Sequence, residues 1–322
     1  MHKRRKAAAA VLLCIAISLF LNGCSNPGKT VSENEDSESV SSGAMSEPEA
    51  GRGDWAPSEP AVSVFDEEGA ITDEDGTVRL DVSSVSKGYA AVKAENQNRL
   101  KFQVVFGDRK YNYDLSGDGT ALIVPLQSGD GTYTFRVLEN TSDNKYAEVF
   151  SYEEKVQLED EFQPFLHSSS MVAYTRSGDS TQKAWDLVQG ISNDADFVAS
   201  VYDYLKNRIA YDYEFAESSP EMYYPDPDAT LKSGKGICFD YAATAAAMIR
   251  SVGIPAKLIT GYVTPGDIYH AWNMIYLKDK GWITMEISVK NNTWQLIDIT
   301  FAATGESRTT GNGLEYKDKD VY

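Results

Sequence analysis

The sequence predicts an α+β protein in which an all-β sandwich-like domain precedes a domain of helices packed on an antiparallel sheet. Residues 62–162 alternate apolar and polar side chains between turns rich in glycine and aspartate, which is typical of short strands. Residues 183–252 instead show helical periodicity, and residues 257–300 alternate again. We therefore predict a β-domain over 62–162 and a mixed domain over 163–322.

The first 23 residues have the layout of a bacterial lipoprotein signal peptide. A basic segment, residues 2–6, precedes an apolar stretch, residues 7–21, that is short for a membrane span. The stretch ends in Leu-Asn-Gly-Cys, which resembles a lipobox and implies cleavage before Cys24 and a lipid anchor on its thiol. A single N-terminal transmembrane anchor is the alternative. In both cases we expect the rest of the chain outside the cytoplasmic membrane.

Composition predicts a flexible linker and excludes one class of partner. Residues 24–61 are rich in Ser, Glu, Gly and Pro and poor in large apolar side chains, so we expect them to remain disordered. The full chain has a net charge of −18, and removal of the four cations of the signal makes it −22. Such an acidic chain is unsuited to binding nucleic acid. We expect contact with the membrane only through the N-terminal lipid.

One segment of the β-rich half resembles a metal site. Asp114, Ser116 and Asp118 are spaced like the first ligands of a calcium loop, but Pro125 stands where a bidentate glutamate is required. We therefore predict a hairpin turn there. A zinc site is also disfavoured, because the exported chain has two histidines and one unpaired thiol with no closely spaced ligand pair. We expect neither a metal nor a cofactor.

The second domain is predicted to contain three helices and four strands. Helical periodicity covers Lys183–Gly190 and Asp194–Ile209, and a tyrosine-rich irregular stretch follows over residues 211–228. A third, alanine-rich helix begins at Cys238 and is capped by Gly253. The strands are predicted over Lys257–Val263, His270–Leu277, Trp282–Val289 and Trp294–Thr300.

Cys238 is the candidate nucleophile. Cys14 leaves with the signal and Cys24 would carry the lipid, so Cys238 has no disulfide partner. It follows a glycine-rich turn at the start of the third helix, where free backbone N–H groups and the helix dipole favour the thiolate. The alternative is a structural thiol packed as a small apolar side chain.

Two further residues could serve Cys238. His270 opens a predicted strand and has a pKa suited to a general base. Asp298 lies among apolar residues in the last predicted strand, where a carboxylate needs a partner such as an imidazolium. Together the three fit a nucleophile, a base and an orienting acid. Taken singly, His270 could be a structural strand residue and Asp298 could cap a turn.

The second domain resembles the transglutaminase-like superfamily, whose core is a papain-like α+β fold. The resemblance covers roughly residues 165–322 and rests on five short blocks in order. The blocks are Gly236–Cys238, Gly253–Ala256, Gly261–Tyr262, His270–Trp272 and Trp294–Thr300. The wider layout, with its lipobox and β-rich first domain, resembles surface lipoproteins of Gram-positive bacteria.

The resemblance implies a catalytic triad of Cys238 as nucleophile, His270 as base and Asp298 as the orienting acid. Glu286 is the rival for the third position, because it lies closer to His270 in sequence. Asp298 is favoured because the Asp-Ile-Thr-Phe that it opens matches the ending of the family pattern. The backbone N–H of Cys238 would help to hold the oxyanion.

Three aromatic residues complete the candidate site, as a second oxyanion donor or as supporting residues. They are Tyr211, Tyr213 and Trp272.

The chemistry implied is acyl transfer outside the membrane. We expect a cysteine peptidase or amide hydrolase acting on peptide or protein amides, including amides linked to the cell wall. A protein-glutamine transglutaminase shares every step up to the acyl-enzyme and differs only in using an amine as acceptor. A non-catalytic adhesion or wall-binding module that retains the fold is the third hypothesis.

Overall fold

The computed structural model describes most of the chain after residue 54. The predicted signal peptide, Cys24 and most of the predicted linker lie outside the described residues. No helix in the described part of the chain is long and apolar enough to span a bilayer. The described residues are 55–218, 223–264, 268–290, 293–300, 307–309 and 315–322.

The N-terminal half is all-β, as predicted. Its strands form two antiparallel four-stranded sheets, with the orders β1-β2-β3-β6 and β5-β4-β7-β8. Alternate side chains of the second sheet are fully buried, including Phe102, Val104 and Phe135. The strands are β1 (Ile71–Thr72), β2 (Val78–Asp81), β3 (Tyr89–Ala94), β4 (Leu100–Phe106), β5 (Arg109–Leu115), β6 (Leu122–Pro125), β7 (Gly131–Ser142) and β8 (Lys145–Val156).

The predicted hairpin after Asp114 is wrong. Strand β5 pairs with β4 while β6 pairs with β3, so the turn connects two different sheets. Asp118 accepts a hydrogen bond from the backbone N–H of Thr120 at 2.9 Å, which is an ordinary local turn contact. Local turn chemistry was readable from the sequence, but the pairing partner of each strand was not.

The C-terminal half combines helices with an antiparallel sheet, as predicted. The helices are α1 (Asp179–Val188), α2 (Asp194–Arg208), α3 (Tyr213–Ser218), α4 (Pro227–Ser233) and α5 (Cys238–Arg250). Its strands are β9 (Ala210–Tyr211), β10 (Lys235–Gly236), β11 (Ala256–Thr264), β12 (Ile268–Leu277), β13 (Gly281–Lys290), β14 (Thr293–Thr300), β15 (Ser307–Thr309) and β16 (Glu315–Val321). Six of these strands form one sheet with the order β14-β13-β12-β11-β16-β15, and β9 and β10 form a separate two-stranded sheet.

The tyrosine-rich stretch over residues 211–228 is less irregular than predicted. It contains α3 and the start of α4. The side chain of Asp226 accepts from the backbone N–H of Ala229 at 3.0 Å, and Pro227 occupies the first turn of α4. An acceptor at the N-cap followed by proline is a helix-start signal. Asp226 and Pro227 therefore mark the start of α4 in the sequence itself.

The last residues of the predicted linker, 55–61, pack against the C-terminal half, although their composition predicted disorder. The ring of Trp55 lies 5.4 Å from that of Phe197. The backbone N–H of Ser58 donates to the carbonyl of Val252 at 3.0 Å. Trp55 is the one large aromatic residue of the predicted linker, and its partly buried ring contributes apolar contact to this packing.

Helix α5 is the centre of the C-terminal half. Its alanines are almost completely buried against β11 and β12, because small side chains allow the helix to lie close to the sheet. Asn273 of β12 fixes the contact: its amide donates to the carbonyl of Ala242 at 2.9 Å. The amide oxygen of Asn273 accepts from the hydroxyl of Tyr202 on α2 at 2.7 Å.

Arg250 joins the end of α5 to three other parts of the chain. Its side chain is fully buried, and burial lowers the pKa of its guanidinium to about 10. The guanidinium donates to the carbonyls of Ala256, His167 and Tyr322 at 2.7, 2.9 and 2.9 Å. Arg250 therefore connects α5 to the start of β11, to the segment around His167 that precedes α1, and to the residue that follows β16.

Replacing this guanidinium tests its structural role. Arg250→Met should lower the free energy of unfolding by about 2–4 kcal/mol, because the carbonyls of Ala256 and His167 lose their side-chain donor at roughly 1–3 kcal/mol each. The carbonyl of Tyr322 keeps the backbone N–H of Leu258 at 2.8 Å. Urea unfolding followed by tryptophan fluorescence measures the change. Arg109→Met, at an exposed position, is the control and should change stability by less than about 0.5 kcal/mol. Equal stability of the two variants would contradict the assigned role.

Candidate active site

Cys238 is the first residue of α5. Ile237 before it is extended, with φ −94° and ψ 178°, so the helix begins abruptly at the cysteine. The carboxylate of Asp240, in the first turn, accepts from the backbone N–H of Ile237 at 2.8 Å and from the hydroxyl of Tyr223. These contacts hold in place the first turn of α5, which contains Cys238. The thiol is free and half-buried.

The glycine before this turn is required by close packing. A Cβ at Gly236 would lie 2.8 Å from the Cβ of Asp240. Gly236 also belongs to β10, which pairs in parallel with β9 and places Gly236 opposite Tyr211. The short β9–β10 pair thus brings the tyrosine-rich stretch beside the nucleophile.

Cys238 and His270 line the same cleft, which has a volume of 490 Å³. Tyr211, Tyr224 and Tyr269 also line it, together with residues of the N-terminal β-domain. The cleft is therefore formed by the start of α5, the start of β12 and the β-domain. The sequence predicted that Cys238 and His270 belong to one site, and the structure brings both residues to one cleft.

His270 is supported from behind by a buried tryptophan. It lies on β12 opposite Gly261 of β11, and its ring centroid is 6.4 Å from that of Trp272. Trp272 is 1% exposed, and a Cβ at Gly261 would lie 2.8 Å from its indole ring. Trp272 therefore fills the space that Gly261 leaves, and the residues that line the cleft do not include it. Its role as an oxyanion donor or as a supporting residue stays a prediction.

The two tyrosine candidates have different positions. Tyr211 lines the cleft with Cys238, and burial, with a smaller electrostatic contribution from Cys238, raises the pKa of its hydroxyl to about 12. Tyr213 is 56% exposed and packs against Tyr211, with 4.9 Å between ring centroids. The hydroxyl of Tyr211 is thus protonated at neutral pH and can donate a hydrogen bond in the cleft that contains the thiol. Tyr213 does not line this cleft.

The two candidates for the third triad position lie on neighbouring strands. Glu286 is on β13, which pairs directly with the strand of His270, and Asp298 is on β14, one strand further. In the main-chain register Asp298 faces Met285. The side chains of both acids lie outside the described residues, so Asp298 stays a prediction and Glu286 its alternative.

Several cleft residues were not anticipated from the sequence. Asn112, Tyr113 and Asp114 of β5 line the cleft although they belong to the N-terminal domain. Tyr224 joins the two halves, because its hydroxyl donates to the carbonyl of Asp114 at 2.6 Å. A local sequence pattern cannot predict a contact between residues that lie more than a hundred positions apart.

Among the described residues, no group of three or more His, Cys, Asp or Glu side chains could hold a metal ion.

Comparison with known proteins supports the resemblance seen in the motifs. Residues 181–287 match the family model for the core of the transglutaminase-like superfamily. This range contains Cys238, His270 and Glu286, and it ends before Asp298. The chain therefore carries a transglutaminase-like domain, as predicted.

The curated relatives match this chain only over a fraction of their length. A mouse protein named kyphoscoliosis peptidase is 25% identical over 135 residues, which cover 39% of this chain and 18% of that protein. An uncharacterised Bacillus subtilis protein, YebA, is 30% identical over 118 residues, covering 31% of this chain and 16% of YebA. The shared part is therefore a domain within larger relatives.

Solved structures give distant matches. The periplasmic domain of TgpA from Pseudomonas aeruginosa is 16% identical with a TM-score of 0.30, covering 71% of this chain and 75% of that one. Red sea bream transglutaminase is 10% identical with a TM-score of 0.29, covering 62% of this chain and 48% of that one.

The Asp240 contacts can be tested independently of any substrate. Asp240→Ala should lower the free energy of unfolding by about 1–2 kcal/mol, because it removes the acceptor of the Ile237 N–H. Asp240→Asn should lose less, since its amide oxygen can still accept that bond. Tyr223→Phe should be destabilising in the native background and nearly neutral when combined with Asp240→Ala. Additive losses in the double variant, measured by urea unfolding, would argue against a shared contact.

Proposed function

We propose that the transglutaminase-like domain of this chain makes it a thiol acyl-transfer enzyme, acting as a cysteine peptidase or amide hydrolase. The observation that carries the proposal is the placement of Cys238, at a helix N-terminus, in one cleft with His270. A thiolate at that position is favoured by the exposed N–H groups of the first helical turn. An imidazole in the same cleft can move the protons that acyl transfer requires.

The reaction proceeds in two halves. The sulfur of Cys238 forms a bond to the amide carbonyl carbon, and its proton, held by His270, is given to the leaving amine as the C–N bond breaks. In the second half, His270 takes a proton from water, whose oxygen attacks the thioester carbon. The C–S bond then breaks, the thiolate recovers the proton, and a carboxylic acid leaves.

Two donors are available for the oxyanion. The backbone N–H of Cys238 belongs to the first helical turn, where N–H groups lack intrahelical acceptors. The hydroxyl of Tyr211 is the second donor in this proposal, because it lines the cleft and its pKa of about 12 keeps it protonated at neutral pH. An oxyanion that forms beside Cys238 would then meet one main-chain and one side-chain donor.

The acceptor of the acyl group separates hydrolysis from transamidation. A protein-glutamine transglutaminase would use the same residues with an amine in place of water. We favour water because an open cleft admits it without a dedicated amine site. Incubation with casein in the presence and absence of a primary amine distinguishes the two: peptide or acid release supports hydrolysis, and amine incorporation supports transamidation.

The proposed location rests on the N-terminal sequence. The signal-like segment and Cys24 would hold the enzyme by lipid on the outer face of the cytoplasmic membrane. Its substrates would then be extracellular peptide or protein amides, including those linked to the cell wall.

The nucleophile and base are tested by alkylation. The purified protein, treated with limiting iodoacetamide at neutral pH, should be alkylated at Cys238 about tenfold or more faster than the His270→Ala variant. The reason is that the imidazole of His270 takes the proton of the thiol. An alkylation rate like that of a free thiol, unchanged in the variant, would refute the proposed pair.

The third position is tested by a matched pair of variants. Asp298→Asn should lower kcat by about 10²–10⁴-fold if its carboxylate orients His270, whereas Glu286→Gln should leave kcat within a few-fold. Both substitutions preserve size and remove one charge, so each is the control for the other. Hydrolysis of a chromogenic ester measures kcat. The reverse result would transfer the role to Glu286.

A further inference from the structure

The catalytic cleft has a second wall supplied by the β-domain. Asn112, Tyr113 and Asp114 of β5 line it opposite Cys238 and His270. The ring of Tyr113 also packs edge-on against that of the C-terminal Tyr322 at 6.0 Å between centroids. A substrate bound in the cleft therefore lies beside the second half of β5. The β-domain takes part in the site and is more than a spacer.

The first half of β5 borders a neighbouring groove. This groove has a volume of 630 Å³ and lies between β5 and the last strand, β16. It adjoins the cleft at Tyr269, which lines the cleft, because the Nζ of Lys319 in the groove lies 5.5 Å from the centroid of the Tyr269 ring. Cleft and groove together follow β5 from Asp114 to Arg109.

The groove is rich in cations although the chain as a whole is acidic. Arg109, Lys110, Lys317 and Lys319 line it and are exposed. Within the described residues, the first three form no ion pair. Lys319 lies 3.8 Å from a carboxylate oxygen of its neighbour Asp320.

Two acids also line the groove, Asp318 and Asp320, and both are half-buried. Burial raises the pKa of Asp320 above its usual range, and the neighbouring Lys319 opposes this shift. The four exposed cations thus outnumber the two acids. The chain as a whole has a net charge of −18 and repels acidic ligands. An excess of cations at the groove therefore attracts an acidic ligand to this part of the surface.

The backbone of β5 suits an extended ligand. Strand β5 is the terminal strand of its sheet, so within the described residues one side of its main chain has no strand partner. At the cleft end, the carbonyl of Asp114 is occupied by the hydroxyl of Tyr224. Toward Arg109, β5 borders the groove. An extended peptide can pair with such an edge while its side chains reach the flanking cations.

We infer that the groove between β5 and β16 binds an extended acidic polypeptide segment adjoining the amide that reacts at Cys238. This inference rests on the proposed function for its catalytic consequence. The acidic side chains of the segment meet Arg109, Lys110, Lys317 and Lys319, and its main chain lies along β5. The substrate class is thus a polypeptide with several Asp or Glu residues on one side of the reactive amide.

Binding is measured with short labelled peptides. Fluorescein-labelled hexaglutamate should bind the Cys238→Ser protein in a fluorescence polarisation assay, and added NaCl should weaken it. Hexalysine and a Gly-Ser peptide of equal length should not bind. Arg109→Glu combined with Lys110→Glu should weaken hexaglutamate by about tenfold or more, because two attractive charges become repulsive.

A matched double variant controls for total charge. Lys145→Glu with Lys155→Glu changes the same number of exposed cations on β8, the opposite edge strand of the same sheet, and should leave binding within about twofold. An equal loss in both double variants would overturn the inference. So would equal binding of all three peptides.

Protection of the Cys238 thiol from alkylation tests whether a ligand in the groove also reaches the cleft. In the unmodified protein, hexaglutamate should slow the alkylation of Cys238 by iodoacetamide, and it should fail to do so in the Arg109→Glu, Lys110→Glu variant. Binding without shielding would separate the groove from the site and overturn the inference. If hexaglutamate does not bind while the rate of Cys238 alkylation still depends on His270, the groove assignment fails and the proposed catalytic role stands.

Discussion

The burial of helix α5 against the central sheet is the constraint on which the rest of the structure depends. Its alanines let the helix lie close to β11 and β12, and polar contacts fix both of its ends. At the C-terminal end, the guanidinium of Arg250 holds three backbone carbonyls. At the N-terminal end, Asp240 holds the turn that carries Cys238. A thiol mounted on so rigid an element keeps its position relative to β12.

The position of His270 follows from the same packing. Because Asn273 bonds the main chain of α5, β12 cannot slide along the helix, and His270 stays at the cleft. Trp272 supports the other side of the strand by filling the space above Gly261. Nucleophile and imidazole are thus held by separate elements whose contact is itself fixed. This is the pre-organisation that acyl transfer needs, because the reacting groups must be aligned before the substrate arrives.

The sequence predicted the elements of this site better than their surroundings. Cys238 and His270 were identified because a thiol at a helix start and a histidine at a strand start are local patterns. The N-cap at Asp226 is also a local pattern, because the acceptor and the proline that follows it are adjacent in the sequence. The contribution of Asn112 to the cleft could not have been predicted, because it depends on how β5 docks against the C-terminal half. Asp298 remains a prediction for a different reason, since its side chain lies outside the described residues.

Cys238 should form an acyl-enzyme with the help of His270. The most direct measurement is intact-mass analysis of the protein after brief exposure to p-nitrophenyl acetate, followed by peptide mapping. We expect one acetyl group on Cys238, formed much more slowly in His270→Ala and absent in Cys238→Ser. Acetylation of surface lysines alone, or an adduct on Cys238 that forms at the same rate without His270, would contradict it.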